Sequence, residues 1–204
     1  MNLFEKANII RFHRHRIAVF NDGTVKALGW RGEESQHKRF EVISKLGDFN
    51  GSSVLDLGCG YGDLKAYLDQ SFSNFSYLGI DQMPEFVNKA KRRHRKKVNT
   101  HFLHADFSKV ALPKMDFVIA SGALSYHSED TDFHTKMIRK FYTSANIALA
   151  FNMMNDNHFK GNELLVGHNF KKVLSFCKSI SPDVKVFQDY FEGDFTIFMY
   201  HESN

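Results

Sequence analysis

The chain has few cysteines and lacks any long apolar run, and each shortage excludes a class of protein. Its two cysteines, Cys59 and Cys177, are far apart and form no C-x-x-C pair, so we expect neither a zinc site nor a disulfide framework. A reducing cytoplasm suits such a chain, and a cytoplasmic location is predicted. No stretch reaches the roughly 18 apolar residues of a membrane span, and charged residues interrupt the N-terminal region where a signal peptide would lie.

The composition is otherwise that of an ordinary globular protein. The chain has 204 residues, of which 43% are hydrophobic and 25% are charged, which excludes disorder of the whole chain. An excess of 27 basic over 23 acidic residues permits an anionic partner without requiring one. The 21 phenylalanines predict a large aromatic core. At this length we expect one domain over 1–204, with a cap over 1–50 and a core over 51–204.

From residue 52 onwards, short apolar runs alternate with amphipathic stretches. The runs predict strands over 52–57, 75–80, 100–104, 115–120, 147–152, 184–190 and 195–200, and the stretches predict helices over 63–71, 84–95, 131–143 and 169–179. Such alternation predicts an α/β fold with a mostly parallel sheet and helices on both faces. Ligands of such sheets bind at the carboxyl ends of the strands.

The first 50 residues do not follow this alternation. Residues 38–46 are a predicted helix, and the basic stretch before them is predicted to be irregular. We expect the segment to form an N-terminal helical cap over the carboxyl ends of the strands.

Three alternating glycines follow the first predicted strand, in the order Asp56-Leu57-Gly58-Cys59-Gly60-Tyr61-Gly62. Glycine lets the backbone bend tightly and approach a ligand, although a tight turn without a ligand is the alternative. The spacing differs from the G-x-G-x-x-G of dinucleotide-binding folds, and the G-K-[ST] of a P-loop is missing. At Asp56, Gly58, Gly60 and Gly62 the sequence resembles the class I S-adenosylmethionine (SAM)-dependent methyltransferases.

The resemblance continues at the next three strand ends. It implies that Asp81 binds the ribose diol, because a carboxylate offers two acceptor oxygens to two hydroxyls; fixing the start of the next helix is the alternative. It implies that Asp106 accepts from the adenine amino group and that Phe107 meets the ring, whereas a simple Asx turn is the alternative for Asp106. Small residues from Ser121 onwards would lie beside the methionine end of SAM.

The resemblance therefore implies a cofactor, a product and a sheet. The cofactor is SAM, the product is S-adenosylhomocysteine (SAH), and the Rossmann-like sheet has seven strands with the last one antiparallel. The expected cofactor-binding residues are Gln36, Asp56, Gly58, Gly60, Asp81, Gln82, Met83, Asp106, Phe107 and Ser121.

The sequence narrows the methyl acceptor without identifying it. Ser121-Gly122-Ala123-Leu124 stands where enzymes that methylate exocyclic amino groups often carry [ND]-P-P-[FY], and neither cysteine is placed to methylate cytosine C5. Tyr126 and His127 are the candidate catalytic acid–base groups, although a solvent-facing histidine is the alternative for His127. Trp30 and Tyr126 are the predicted substrate-binding residues, with Phe151 and Tyr190 as further pocket walls; simple core packing is the alternative. We expect no metal.

These patterns predict a SAM-dependent methyltransferase that acts on a small molecule. The basic run at 89–97 keeps open an RNA or protein methyltransferase, or a non-catalytic SAM- or RNA-binding module. A solvated helix end, where cations oppose the helix dipole, is the structural alternative for this run. No membrane partner is expected, and the sequence leaves the oligomeric state open.

Overall fold

A seven-stranded sheet is the centre of the protein, as a computed structural model that describes residues 1–202 shows. The expected domain of 1–204 thus includes residues 203 and 204, which lie outside the described residues. The strands are β1 (Ser53–Leu57), β2 (Ser76–Asp81), β3 (Thr100–His104), β4 (Met115–Ala120), β5 (Ala145–Met154), β6 (Asp183–Phe187) and β7 (Asp194–Tyr200). The helices are α1 (Leu3–Phe20), α2 (Glu33–Ile43), α3 (Asp63–Leu68), α4 (Pro84–Arg93), α5 (Phe133–Ser144) and α6 (Phe170–Ile180).

The strand order is β3-β2-β1-β4-β5-β7-β6. All neighbouring pairs are parallel except those of β7, which runs antiparallel to both β5 and β6. The predicted Rossmann-like fold is therefore confirmed, including its antiparallel last strand. After β3 the chain returns to the middle of the sheet to form β4 beside β1, and ligands of open α/β sheets bind at such a reversal of strand order.

Two apolar layers cover the two faces of the sheet. Side chains of successive strand residues point to opposite faces, so Val54 joins one layer and its neighbour Leu55 joins the other. Helices α2, α3 and α4 pack on the first face, and α5 and α6 pack on the second. Together the layers bury the carboxyl halves of the inner strands, and the carboxyl ends of β1, β2 and β4 meet at one edge of the sheet.

The N-terminal segment is more helical than its sequence predicts. The stretch expected to be irregular forms the 18-residue helix α1, which begins with a capping box between Asn2 and Glu5. Glu5 also accepts a hydrogen bond from the Glu129 backbone N–H at 2.6 Å, which attaches the helix to the chain beyond β4. The second helix begins at Glu33, five residues before the predicted start, so the cap consists of two helices.

The connection within the hairpin at the end of the chain is longer than predicted. Strand β6 ends at Phe187, three residues before the predicted end at Tyr190, and residues 188–193 connect it to β7. Asp189 and Gly193 both adopt positive φ angles, of 62° and 78°, which turn the chain within this connection. Within residues 1–202, none of the helices is long and apolar enough to cross a membrane.

Candidate functional site

A cavity of about 380 Å³ lies at the carboxyl edge of the sheet, where the strand order reverses. The residues after β1, β2 and β4 form its floor, and α1, α2 and the segment between them form its cover. All ten predicted cofactor-binding residues line it, and so do Trp30 and Tyr126. Residues far apart in the sequence thus meet at the edge where the fold places a ligand.

The glycine turn after β1 depends on having no side chains. Gly58, Gly60 and Gly62 all have positive φ angles, of 80°, 54° and 75°, which other residues rarely adopt. A Cβ on Gly58 would lie 2.9 Å from the Cβ of Ala123, and neither position could yield easily. The turn therefore passes close to the end of β4, and a Cβ on Gly60 would likewise meet Leu28 at 2.8 Å.

Asp81 fixes this turn from the neighbouring strand. One carboxylate oxygen accepts from the Gly60 backbone N–H at 2.9 Å, and the other accepts from that of Met83 at 2.8 Å. The side chain is buried, and burial raises the pKa of Asp81 to about 6 despite these two hydrogen bonds. Asp81 therefore both fixes the start of α4 and presents a carboxyl group to the cavity.

Asp56 is a second buried carboxyl group at the cavity. Burial raises the pKa of Asp56 to about 7, although a hydrogen bond donated by the Tyr77 hydroxyl opposes that shift. Asp81, which is also close, raises it further because the two negative charges repel each other. Two acidic groups therefore share the inner wall, and a cationic ligand group would be stabilised beside them.

Asp106 is bound to the protein itself in this structure. One oxygen accepts from the Ser108 backbone N–H at 2.9 Å and the other from the Lys6 ammonium group. Burial alone would raise the pKa of Asp106, but these hydrogen bonds outweigh burial and hold it below its usual range. The Asx turn that was the alternative for Asp106 is present, and the Lys6 ammonium group of α1 already contacts the carboxylate predicted to meet adenine. The Phe107 ring packs edge-on against Phe141.

The remaining predicted cofactor residues lie around the turn. Gln36 is buried and donates from its amide nitrogen to Asp63 at 3.2 Å, so one of its two amide hydrogens is already used. The Ser121 hydroxyl accepts from the Asn152 amide at 3.2 Å. Gln82 and Met83 follow Asp81 directly and line the cavity beside it.

Trp30 and Tyr126 also line the cavity. The Arg39 guanidinium lies 4.4 Å from the Trp30 ring centroid, and Arg39 also makes two hydrogen bonds to Asp194, at 2.6 and 2.8 Å. A Cβ on Gly122 would come within 3.2 Å of the Trp30 ring, so the ring lies directly against the end of β4. The Tyr126 hydroxyl lies 2.5 Å from His13 Nε2 of α1.

Two further predicted walls lie elsewhere. Phe151 is fully buried among the α5 and α6 side of the core, because its position on β5 points it away from the cavity. Tyr190 packs against the other face of the sheet and its hydroxyl is hydrogen-bonded to Thr196 at 2.7 Å. His158, Phe159 and Phe191 line the cavity instead.

His127 does not reach the cavity either. Tyr126 forms a β-bridge with Leu165, and the His127 backbone N–H donates to the Leu164 carbonyl at 2.8 Å. Neighbouring side chains in such an extended segment point in opposite directions, so Tyr126 faces the cavity while His127 is exposed to solvent. His127 is therefore not placed to act as an acid–base group in the cavity.

The structure adds residues from α1 that sequence reasoning missed. Lys6, Ile9 and His13 are its buried residues, and all three line the cavity. They are spaced by three and four positions, which is the spacing of one helical face. This spacing is a signal of a buried helical face. The signal is weak in the sequence because two of the three side chains are polar and other basic residues lie between them. Within residues 1–202, no group of three or more histidine, cysteine, aspartate or glutamate side chains could hold a metal ion.

The sequence around the cavity matches a known family. Residues 54–145, which include β1 to β4 and α5, match the family model described as a methyltransferase domain. The match covers 92 of the 204 residues, a little under half of the chain. The predicted resemblance is therefore confirmed for this part of the chain, which contains the glycine turn, Asp81 and Asp106.

Curated relatives and a solved structure point the same way. The chain is 36% identical over 80 residues to a protein of Mycobacterium tuberculosis named as a methyltransferase, which covers 39% of this chain and 46% of that relative. It is 28% identical over 112 residues to the rRNA adenine N-6-methyltransferase of Bacillus licheniformis, which covers 53% of this chain and 38% of that relative. The matches thus span less than half the length of these relatives.

The fold is shared over almost the whole chain with magnesium protoporphyrin IX methyltransferase from Synechocystis PCC 6803, whose crystal structure contains SAH. The TM-score is 0.72 at 15% sequence identity, and the match covers 97% of this chain and 100% of that one. At this identity the likeness shows the shared fold.

Proposed function

We propose that the protein transfers a methyl group from SAM to a small-molecule acceptor and releases SAH. One observation carries the proposal: a methyltransferase domain brings the glycine turn, Asp81 and Asp106 together in one cavity at the reversal of strand order. We further propose that residues 1–204 act as one domain with 1–50 as its cap. The two cysteines are free and buried, which suits work in a reducing cytoplasm.

The chemistry of the cavity suits SAM. Each oxygen of Asp81 accepts one backbone hydrogen bond and retains a further lone pair, so the carboxylate has the capacity for two neighbouring hydroxyl donors. The positive-φ glycines let Ala123 approach Gly58 and Leu28 approach Gly60, and both glycines line the cavity with bare backbone. Asp56 and Asp81 provide negative charge, which favours a ligand that carries an amino group and a sulfonium.

Catalysis would depend on positioning more than on acid–base chemistry. SAM supplies a methyl group that is already activated on a cationic sulfur. The residues of this chain would bind and orient the two ligands, because holding reactants in line removes much of the entropic barrier. Lys6, Ile9 and His13 of α1 cover the cavity and would exclude water from it.

A small molecule is the favoured acceptor because the wall beside Tyr126 and Trp30 belongs to a covered cavity with several aromatic residues. The fold relative from Synechocystis is named for a small-molecule substrate, magnesium protoporphyrin IX. An RNA acceptor is the second candidate, since another relative is named as an rRNA methyltransferase and exposed cations lie along residues 91–97.

Calorimetric titration with SAH and SAM tests the cofactor. Wild-type protein should bind both, and Asp81→Asn, which keeps the shape of the side chain, should weaken SAH binding by roughly 5- to 150-fold, the equivalent of about 1–3 kcal/mol for a buried polar group. Asp183→Asn is the matched control, because Asp183 is exposed at the start of β6 outside the cavity and should bind SAH as the wild type does. Wild-type protein that ignores both ligands at millimolar concentration would refute the proposal.

The acceptor class is tested by incubating the protein with radiolabelled SAM and fractionated cell extract. Label in the metabolite fraction supports a small-molecule acceptor. Label confined to RNA or to protein would instead support the corresponding macromolecular acceptor.

A further inference from the structure

His13 has a defined tautomer in the wall of the cavity. Its Nδ1 lies 3.3 Å from the carbonyl oxygen of Ala27, and a carbonyl only accepts hydrogen bonds, so Nδ1 must carry a hydrogen. The ring is buried between the rings of Phe12 and Phe86, and burial lowers the pKa of His13 to about 4. The imidazole is therefore neutral near pH 7, and its other nitrogen, Nε2, holds a lone pair.

This tautomer fixes the direction of the hydrogen bond to Tyr126. Because Nε2 can only accept, the Tyr126 hydroxyl must donate its single hydrogen to it across the 2.5 Å contact. Burial and the negative charge of Asp81 raise the pKa of Tyr126 and outweigh the Arg16 cation, which lowers it, so the hydroxyl keeps that hydrogen. The Tyr126 oxygen consequently has lone pairs to offer to the cavity and no hydrogen.

A hydrogen-bond acceptor in this place distinguishes between possible methyl acceptors. An amine or hydroxyl group can donate a hydrogen to the Tyr126 oxygen and still direct a lone pair elsewhere. A carboxylate has no hydrogen to donate, so its oxygen would lie against the Tyr126 lone pairs and close to the charge of Asp81. Arg31 also lines the cavity and is exposed, so it could meet an anionic group on another part of the acceptor.

We propose that Tyr126, fixed by His13, selects a methyl acceptor that presents an N–H or O–H group and rejects a carboxylate at the same place. The proposal rests on the proposed methyltransferase function and names the class of acceptor. Tyr126 is then the specificity-determining residue, and His13 is the positioning residue that sets its hydrogen-bond direction.

Binding of small aromatic probes to SAH-saturated protein tests the proposal without turnover. Aniline and benzyl alcohol carry a neutral donor, benzoate carries a carboxylate, and toluene carries neither, so ligand-observed NMR titrations can compare four molecules of similar shape. Aniline and benzyl alcohol should bind more tightly than toluene, and benzoate should bind more weakly. Tyr126→Phe should weaken aniline and benzyl alcohol by about two- to tenfold, the value of one hydrogen bond, and leave toluene unchanged.

Two further variants make the result specific. Tyr190→Phe removes the same hydroxyl from a tyrosine outside the cavity and should change none of the four affinities. His13→Leu frees the Tyr126 hydrogen, so benzoate should bind severalfold more tightly than it binds to the wild type. The proposal is wrong if benzoate matches benzyl alcohol in the wild type, if the donor probes fail to bind, or if Tyr126→Phe affects toluene and aniline equally.

The same titrations separate this proposal from the proposed function. If SAH does not bind, the methyltransferase proposal fails, and the probes titrated without SAH still report which hydrogen-bond direction Tyr126 offers. If SAH binds and the probes show no preference for donors, only the proposal on Tyr126 fails.

Discussion

Two buried carboxyl groups dominate the cavity at the scale of single residues, and they should make stability depend on pH. Asp56 is neutral in the folded and unfolded protein below its ordinary pKa of 3.8, and burial raises its folded pKa to about 7. As the pH rises between these two values, Asp56 ionises in the unfolded state first, so the free energy of unfolding falls. Above the folded pKa, Asp56 is ionised in both states and its effect on stability no longer changes with pH. Several buried histidines shift the other way, so the effect has to be isolated by a variant.

We therefore predict that Asp56→Asn gains stability relative to the wild type as the pH is raised from 5 to 8. The expected change in the difference is about 2–3 kcal/mol, from about two pKa units at 1.36 kcal/mol each. Urea unfolding at each pH measures it. Asp116→Asn is the control, since hydrogen bonds from Ser53 hold the pKa of Asp116 below its usual range and its difference should stay flat between pH 5 and 8. A flat difference for Asp56→Asn would contradict the prediction.

The glycine turn allows a second prediction about single residues. Gly58→Ala should lower stability and also weaken SAH binding, because the new methyl group meets the Cβ of Ala123 and displaces the turn. Gly51→Ala is the control, because Gly51 also has a positive φ, of 70°, but a Cβ there would meet nothing within 4 Å. The free energy of unfolding, measured in urea, should be lower by about 1 kcal/mol or more in both variants.

Calorimetry distinguishes the two glycines. SAH affinity should fall at least several-fold in Gly58→Ala and stay unchanged in Gly51→Ala. Equal SAH affinities in both variants would mean that the turn after β1 does not contact the ligand.

The residues of the floor could be predicted because each lies at or just after the end of a strand. Asp81 ends β2 and Asp106 follows the end of β3 by two residues, and their spacing from the glycine turn is a local property of the sequence. The pairing of His13 with Tyr126 could not be predicted, because 113 positions separate the two residues and only the packing of α1 brings them together.

Some helices and strands could likewise be predicted from the sequence, and others could not. Strands β3 and β4 both have the predicted bounds, although only β4 carries the continuous apolar run of a buried parallel strand and the edge strand β3 is mostly exposed. Helix α1 was not predicted, because it buries Lys6 and His13 with Ile9 and leaves Leu3 and Phe4 exposed, so its sequence lacks a clear apolar face. Its place is fixed by polar contacts to Asp106, Tyr126 and Glu129 instead.

Helix α1 should therefore loosen when its polar attachment is removed. Lys6→Met keeps the length of the side chain but removes the ion pair with Asp106, which is mostly buried on the lysine side. We predict that the amides of α1 exchange with deuterium several-fold faster in this variant while those of the central strands keep their protection, because a broken, partly buried pair costs about 1–3 kcal/mol locally.

Arg11→Met provides the comparison for α1. Arg11 is exposed on the same helix and makes a local contact to Asn8, so its loss should leave the exchange of α1 unchanged. Equal exchange rates in Lys6→Met and the wild type would show that the apolar contacts of α1 hold it without the ion pair.

Acidic and basic groups lie in different parts of the molecule. The inner wall of the cavity is acidic, with Asp56 and Asp81, whereas the basic run at 89–97 begins at the end of α4. Three cations of this run pair with acids of the protein itself, Lys89 with Asp22, Arg93 with Asp63 and Lys97 with Asp69. His94 is buried against the Gly62 carbonyl, so this run is partly used in holding the glycine turn.

The exposed remainder of the run distinguishes a small-molecule acceptor from RNA. Lys91, Arg92 and Arg95 are exposed, and replacing all three by glutamine removes three positive charges without touching the cavity. An enzyme that acts on RNA would lose affinity with each lost phosphate contact, and the loss would be greatest at low salt. A small molecule inside the cavity would meet none of these side chains. We therefore predict that the triple variant labels the metabolite fraction at the wild-type rate, measured with radiolabelled SAM at 50 and 200 mM salt. A methyl-transfer rate that is tenfold or more lower in the triple variant at 50 mM salt, with label entering RNA in the wild type, would instead indicate that the acceptor is RNA bound at the end of α4.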